Sequence, residues 1–202
     1  FHNFPKKLYK SDPNWICPLD SAVEAVFDPA VNIRFQFGEA IRWILKNENN
    51  ETIGRVAVFV DQKRSASSVQ PTGGLGFFEV IEDKNAAFFI FDTAKEWLIA
   101  RGMEAMDGPI SFGENYEDWG LLVEGFSQQG YGMPYNKKYY KDFFEEYGFR
   151  NYFEQFTCHR AVRDANNKIV RFPDRIMNVA EWLIKRPGYT FRHFDYRESS
   201  KF

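Results

Sequence analysis

A short amphipathic segment that ends at a glycine is the feature that most constrains the fold of this chain. Residues 135–147 mix charged with aromatic side chains, and Gly148 follows them directly. Glycine commonly ends a helix, because it adopts left-handed backbone angles without strain. The pattern therefore predicts a short helix that stops at Gly148. It also predicts that the ring-rich segment after it, from Asn151 to Val162, is a β-strand.

Composition indicates a globular domain with many aromatic rings in its core. The chain has 202 residues, of which 44% are hydrophobic and 18% aromatic, and this length is sufficient for one substantial domain. The formal net charge is -2, which gives no general attraction for nucleic acid or for an anionic membrane. No run approaches the roughly 20 apolar residues of a membrane span. We therefore expect neither nucleic acid nor a membrane as a partner.

The cysteines and histidines do not form a metal or disulfide pattern. Cys17 and Cys158 are far apart, and neither belongs to a Cys-x-x-Cys pair. His2, His159 and His193 are scattered along the chain without the spacing of zinc ligands. We therefore expect no bound metal and a reducing, cytoplasmic setting.

The first half of the chain is predicted to contain three strands. Apolar residues alternate in Ala40 to Lys46 and are frequent in Thr52 to Val60, and the polar turn between them predicts an antiparallel hairpin. The Ser- and Gln-rich segment Gln62 to Thr72 is predicted to be an exposed loop. Leu75 to Ile81 is predicted to be a third strand, and Gly73 ahead of it would permit a tight turn or a bulge where the strand begins.

The second half is predicted to alternate helices with strands. Asp83 is a good N-cap for the strongest helix, which runs to Gly102, and Met103 to Met106 would be a short strand. A later helix is predicted at Arg175 to Lys185, and a last strand at Tyr189 to Tyr196. The element order predicts an α/β fold with hairpins first and crossovers later.

Several separated motifs resemble those of the GNAT superfamily of acyl-CoA-dependent N-acyltransferases. These motifs are Leu8–Trp15, Gly76–Glu79, Gly108-Pro109, Gly120–Phe126, and Tyr135-Asn136 with Tyr139-Tyr140. Together with the element order, they are similar to a bacterial family of GNAT-like proteins that have two halves. The resemblance implies a GNAT-like domain over residues 1–163, with a mixed, mostly antiparallel sheet flanked by helices.

The same resemblance implies a second GNAT-like domain in the native chain. Residues 164–202 would hold a connecting turn, a helix and the first strand of that domain, since residues 189–195 resemble such a strand. The second domain would then be a partner of the first within one longer chain.

The resemblance also implies acyl transfer from acetyl-CoA or another acyl-CoA to a small amine or amino-acid-like acceptor. In this superfamily the third strand leaves backbone groups free for the pantetheine arm, and the pyrophosphate binds at the N-terminus of the next helix. The implied cofactor-binding residues are Phe77, Phe78, Val80, Ile81, Asp83, Lys84, Asn85 and Asn136.

Three residues are candidates for catalysis on the basis of the resemblance. A carboxylate would deprotonate the amine, directly or through water, and a hydroxyl would protonate the departing thiolate. Glu79 is the candidate base, and its alternative is an ordinary strand glutamate that faces solvent. Tyr139 and Tyr140 are the candidate acids, and their alternative is a packing role.

Two departures from the superfamily pattern keep a second function open. The segment Glu82–Ala87 lacks the glycines of the usual phosphate loop, and its two acidic residues would repel a pyrophosphate. Phe144 stands where the superfamily usually has its general-acid tyrosine. The chain is therefore either an N-acyltransferase or a non-catalytic GNAT-like half that binds a ligand or braces its partner domain. In the second case the glycine-rich segment 113–132 would shape the pocket.

Overall fold

The chain divides into two compact units. The computed structural model describes residues 1–67, 69–113, 120–130 and 132–190. The units are Phe1–Asn151 and Tyr152–Phe202. That residues 164–202 begin a second GNAT-like domain stays a prediction.

The first unit is built on a four-stranded sheet with the strand order β1-β2-β3-β4. Strands β1 (Gly38–Lys46), β2 (Thr52–Asp61) and β3 (Thr72–Val80) form an antiparallel meander, and β4 (Ala105–Asp107) pairs parallel to β3. The predicted hairpin is confirmed, because the polar residues 47–51 turn the chain between two apolar strands. The predicted mixed, mostly antiparallel sheet flanked by helices is also confirmed.

The described part of the chain contains six α-helices and one short 3-10 helix. They are α1 (Asn3–Leu8), α2 (Asp20–Phe27), the 3-10 helix (Ile33–Gln36), α3 (Gln62–Ser67), α4 (Lys84–Ile99), α5 (Tyr140–Tyr147) and α6 (Asp174–Ile184). The predicted cap of α4 is confirmed, since the Asp83 carboxylate accepts from two amides of its first turn. The predicted stop of α5 is confirmed as well, with Gly148 in the left-handed region at φ 115°. No helix among the described residues is both long and apolar enough to cross a membrane.

Aromatic rings fill the core between the sheet and helices α4 and α5. The Phe78 ring of β3 stacks on the Phe91 ring of α4, with ring centroids 4.8 Å apart. The Phe144 ring of α5 packs edge-on against both. These contacts tie α4 and α5 to the same face of β3, and they account for Phe144 as a core residue.

Strand β3 separates from β4 after a short parallel contact. The two strands pair only from Thr72 to Gly74, and the Ile110 amide then donates to the Leu75 carbonyl at 2.8 Å. A bulge in the β2–β3 pairing follows, where Phe77 has a φ of 48°. Among the described residues, no strand lies beside the far end of β3 on the β4 side. We call this end, residues 76–80, the free edge of β3.

Two predictions about local structure are wrong. The predicted loop Gln62 to Thr72 contains α3 and the first residue of β3. The predicted strand Asn151 to Val162 has no regular structure, and the Tyr152 and Phe156 side chains are 90% and 82% exposed. Rings favour strands, but a strand also needs a neighbour for its backbone. Among the described residues, the one backbone partner of this segment is the Val170 amide, which donates to the Val162 carbonyl at 2.9 Å.

The remaining predictions fall in the second unit or on residues outside the described ranges. The predicted helix Arg175 to Lys185 is confirmed by α6. Most of the predicted strand Tyr189 to Tyr196 lies outside the described residues, as do positions 114–119 and 131 of the glycine-rich segment.

Candidate functional site

The three candidate catalytic residues meet at the free edge of β3. The Tyr140 hydroxyl donates to Glu79 Oε2 at 2.8 Å and accepts from the Val80 amide at 2.9 Å. The Tyr139 hydroxyl donates to the Val80 carbonyl at 2.9 Å. Tyr139 is the N-cap of α5 and Tyr140 is its first residue, so the start of this helix brings two adjacent hydroxyls to the last residue of β3. We call this group of three side chains the Val80 site.

The Glu79 carboxylate is buried, so the alternative of a solvent-facing glutamate is wrong. Glu79 is only 8% exposed. Its Oε2 also accepts from the Tyr9 hydroxyl at 2.8 Å, and its Oε1 lies 3.7 Å from the Arg55 guanidinium. Arg55 and Glu79 are register partners on adjacent strands, so their side chains share one face of the sheet. Among the described residues, two hydroxyls and one cation therefore contact this carboxylate.

Burial keeps the tyrosine hydroxyls of the site protonated. Loss of solvent raises the pKa of Tyr9, Tyr139 and Tyr140, and the nearby charge of Glu79 raises each of them further. All three side chains are therefore neutral hydrogen-bond donors at neutral pH. Tyr139 is only half-buried, whereas Tyr9 and Tyr140 are each 1% exposed.

Sequence reasoning missed two members of this cluster, Tyr9 and Arg55. Tyr9 follows α1, and its ring stacks on Trp15 with ring centroids 5.0 Å apart. The only hint of its role was its place inside the first resemblance motif. Arg55 could have been noticed as a charged residue within the apolar run of β2.

A second set of contacts fastens the segment after α1 beside the cluster. The Tyr135 hydroxyl lies 3.0 Å from both carboxylate oxygens of Asp12, and Lys137 Nζ lies 3.7 Å from Asp12 Oδ2. The Lys137 ammonium also lies 4.5 Å from the centroid of the Tyr9 ring. These contacts hold Tyr9 against the chain that leads into α5.

The candidate phosphate-binding residues at the start of α4 already have hydrogen-bond or ion-pair partners within the protein. One Asp83 carboxylate oxygen, Oδ1, accepts from the amides of Asn85 at 2.8 Å and Ala86 at 3.2 Å. The Lys84 ammonium pairs with Glu146 of α5 at 3.0 Å. The helix terminus where a pyrophosphate was expected is therefore occupied by the protein's own carboxylate.

The other candidate cofactor-binding residues lie in different surroundings. The Phe78 ring is in the core, and Ile81 is exposed after the end of β3. The Phe77 ring packs against Phe27, with ring centroids 5.1 Å apart. The buried Asn136 amide accepts from the Leu122 amide at 2.7 Å and donates to the Leu122 carbonyl at 3.2 Å. Asn136 therefore shapes the loop before α5.

Metal chemistry has no visible ligand set in the described ranges. Among those residues, no three His, Cys, Asp or Glu side chains are grouped so that they could hold an ion. The site instead contains a buried carboxylate and neutral hydroxyls, which lie at the free edge of β3.

Comparisons with known proteins connect the chain to two curated bacterial proteins. It is 30% identical over 154 residues to Protein YghO of Escherichia coli K12, a match that covers 74% of this chain and 38% of that protein. It is 36% identical over 131 residues to the bacterial ceramide synthase of Caulobacter vibrioides, covering 62% of this chain and 33% of that protein. The chain thus spans between a third and two fifths of the length of these relatives.

Family models and solved structures add less. No family model matches the chain. A solved structure from Pyrococcus furiosus, provisionally described as an acetyl transferase, is similar with a TM-score of 0.43 and 15% identity. That similarity covers 80% of this chain and 91% of the Pyrococcus chain.

Proposed function

We propose that this chain is part of an N-acyltransferase that moves an acyl group from an acyl thioester to an amine. The observation that carries the proposal is the Val80 site, where a buried carboxylate and a half-buried neutral hydroxyl meet at the end of β3, beside which no described strand lies on the β4 side. The name of one relative, ceramide synthase, supports the same chemistry. A ceramide is a fatty amide, so its synthesis joins an acyl group to an amine.

The reaction needs one proton acceptor and one proton donor. The amine nitrogen attacks the thioester carbonyl, the C–N bond forms and the C–S bond breaks, so that an amide and a thiol result. The amine proton passes to Glu79, through an intervening water or hydroxyl, and a tyrosine proton passes to the departing thiolate. The backbone of β3 before Val80, which no described strand flanks on the β4 side, would align the donor arm as an added strand does.

Tyr139 and Tyr140, at the start of α5, take different roles in this proposal. Tyr139 is the proton donor, because it is half-buried and its hydroxyl is bonded only to a backbone carbonyl among the described contacts. Tyr140 is a positioning residue, because its hydroxyl is enclosed and already donates to Glu79. Tyr9 positions Glu79 in the same way from the other side.

A second candidate function is favoured by the start of α4. Asp83 fills the helix terminus that would hold a donor pyrophosphate, and Phe144 cannot donate a proton. These residues fit a non-catalytic half that binds a ligand or braces a second GNAT-like domain of the same native chain. The acceptor, a small amine or an amino-acid-like molecule, and the cytoplasmic setting belong to the proposal in both forms.

The test is acyl transfer by the chain with acetyl-CoA, decanoyl-CoA and palmitoyl-CoA and a panel of primary amines, including long-chain amino alcohols. Thiol release and the mass of the amide report the reaction. Glu79→Gln and Tyr139→Phe should each lower kcat by about 100-fold, whereas Tyr152→Phe, at an exposed ring, should leave it unchanged. Thioester binding without turnover would favour the non-catalytic function. Turnover that is unchanged in both site variants would refute the assignment of the Val80 site.

A further inference from the structure

The acidic start of α4 bears on which part of an acyl donor this domain recognises. We propose that Asp83 is a specificity-determining residue that excludes the nucleotide phosphates of CoA, so that the domain takes its donor by the acyl-pantetheine portion. This inference rests on the proposed acyl transfer and specifies its donor. The donor class is then a thioester of pantetheine, whether the arm belongs to CoA or to a carrier protein.

Most amides at this helix terminus already have partners. A helix leaves its first four N–H groups without intrahelical partners, and these groups commonly bind anions. Here the Asp83 amide donates to the Ile81 carbonyl at 2.7 Å. The amides of Asn85 and Ala86 donate to the Asp83 carboxylate. Three of the four groups are thus bonded within the protein, and a phosphate would have to displace a side chain of its own charge.

Carboxylates dominate the charge around this terminus. Glu82 directly precedes Asp83, and its charge adds to the raised pKa of the Tyr139 hydroxyl, so it acts at the Val80 site. The Lys84 ammonium, the cation in this turn, is paired with Glu146. A pyrophosphate placed here would meet carboxylates whose repulsion this single paired cation does not offset.

A donor can still reach the backbone of β3 before Val80, whose amide and carbonyl are already bonded to Tyr140 and Tyr139. The free edge of β3 leads directly to Val80, where the thioester must lie if Tyr139 is to protonate the thiolate. A pantetheine arm is uncharged and carries two amides, which suit pairing with a strand edge. The nucleotide of CoA lies beyond that arm, and it would reach the acidic turn 82–85 or extend into solvent. The nucleotide therefore adds no favourable contact there.

The experiment compares kcat/KM for decanoyl-CoA and decanoyl-pantetheine with one amine. For the natural chain the two values should agree within about threefold, since the phosphates gain nothing at a filled helix terminus. Asp83→Ser keeps a capping hydroxyl and removes the charge. It should shift the ratio toward decanoyl-CoA by about two- to thirtyfold, the range of a charge at a helix terminus. Asp142→Ser removes a charge from the first turn of α5 as the matched control, and it should leave the ratio unchanged.

Each outcome decides the inference. A preference of the natural chain for decanoyl-CoA above about threefold would overturn it, and so would an unchanged ratio in Asp83→Ser. Consumption of neither thioester would refute the proposed acyl transfer, and this inference with it. A decanoyl carrier protein serves as a third donor, and its faster use would identify the source of the arm. Thermal melts of both variants confirm that the capped helix stays folded.

Discussion

Tyr140 and Glu79 are 61 residues apart in the chain, yet the Tyr140 hydroxyl lies 2.8 Å from Glu79 Oε2. The same oxygen accepts from Tyr9 at 2.8 Å. One buried carboxylate oxygen therefore joins α5, the end of α1 and β3. Hydrogen bonds to a charged group are stronger than those between neutral groups, so this junction should matter for stability as well as for chemistry.

The shared oxygen predicts coupled effects of the two tyrosines on stability. Tyr9→Phe and Tyr140→Phe should each lower the free energy of unfolding by about 1.5–3 kcal/mol, the usual range for a hydrogen bond to a charged group. The double variant should depart from the sum by at least about 0.5 kcal/mol, because both hydroxyls serve one acceptor. Urea unfolding measures all three, with Tyr152→Phe as the exposed control. Strict additivity would contradict a shared acceptor.

Glu79→Gln should be more costly than either tyrosine substitution. It removes the charge that faces Arg55, a guanidinium that is only 6% exposed. Loss of one partner of a buried ion pair commonly costs about 3–5 kcal/mol, because the other charge stays buried. Arg55→Met should restore part of the loss when it is combined with Glu79→Gln. Urea unfolding of the single and double variants checks this, and a double variant as unstable as the summed singles would speak against the pair.

The raised tyrosine pKa values predict a loss of stability in alkaline solution. The ordinary tyrosine pKa is about 10, and burial raises that of Tyr9 and Tyr140 in the folded state. Their contribution is fully present below pH 10. It is lost as the pH rises above 10, because the unfolded chain then releases protons that the folded chain retains.

Each of these buried tyrosines should account for about 1.4 kcal/mol of lost stability at pH 11. Urea unfolding of the natural chain and of Tyr9→Phe between pH 8 and pH 11 measures this effect. Between pH 8 and pH 11, the free energy of unfolding of the variant should fall by that much less than that of the natural chain. Lysines and exposed tyrosines titrate equally in both proteins. Parallel curves would mean that Tyr9 ionises normally in the folded state.

Gly76 allows the close approach that begins the free edge of β3. A Cβ at this position would overlap the backbone carbonyl oxygen of Ile110, which cannot move as a flexible side chain does. Gly76→Ala should therefore destabilise the fold by about 3 kcal/mol. Gly130→Ala is the control, because its Cβ would come no closer than 3.7 Å to Met133. Equal melting temperatures of the two variants would refute this reading of the β3 geometry.

Much of the fold could be predicted from the sequence because its signals are local. The hairpin β1–β2, the Asp83 cap and the Gly148 stop each depend on a few neighbouring residues. The burial of Glu79 could not be predicted in this way, since its partners come from three separate segments. The strand predicted after Asn151 failed for a related reason, because rings indicate a strand but only a distant neighbour can pair with it.

In the candidate site, too, local sequence signals are informative and contacts between distant segments are not predictable. Glu79, Tyr139 and Tyr140 were named from a resemblance, and they do lie together, but nothing local in the sequence marks Tyr9 as their neighbour. The acidic turn at Asp83 was noticed as a departure from the phosphate loop. Its carboxylate accepts from the amides of the first turn of α4, a contact that the sequence alone does not reveal.

The cross-strand pairing of Arg55 with Glu79 has a consequence for how the protein folds. The β2–β3 meander brings these two charges together by itself, whereas the tyrosine hydroxyls arrive from both sides in sequence. An early species with only the meander formed would therefore carry this ion pair in contact with water. Packing of Tyr9 and Tyr140 against the ion pair would then exclude water from it. Docking of the segment after α1 and docking of α5 would therefore be cooperative.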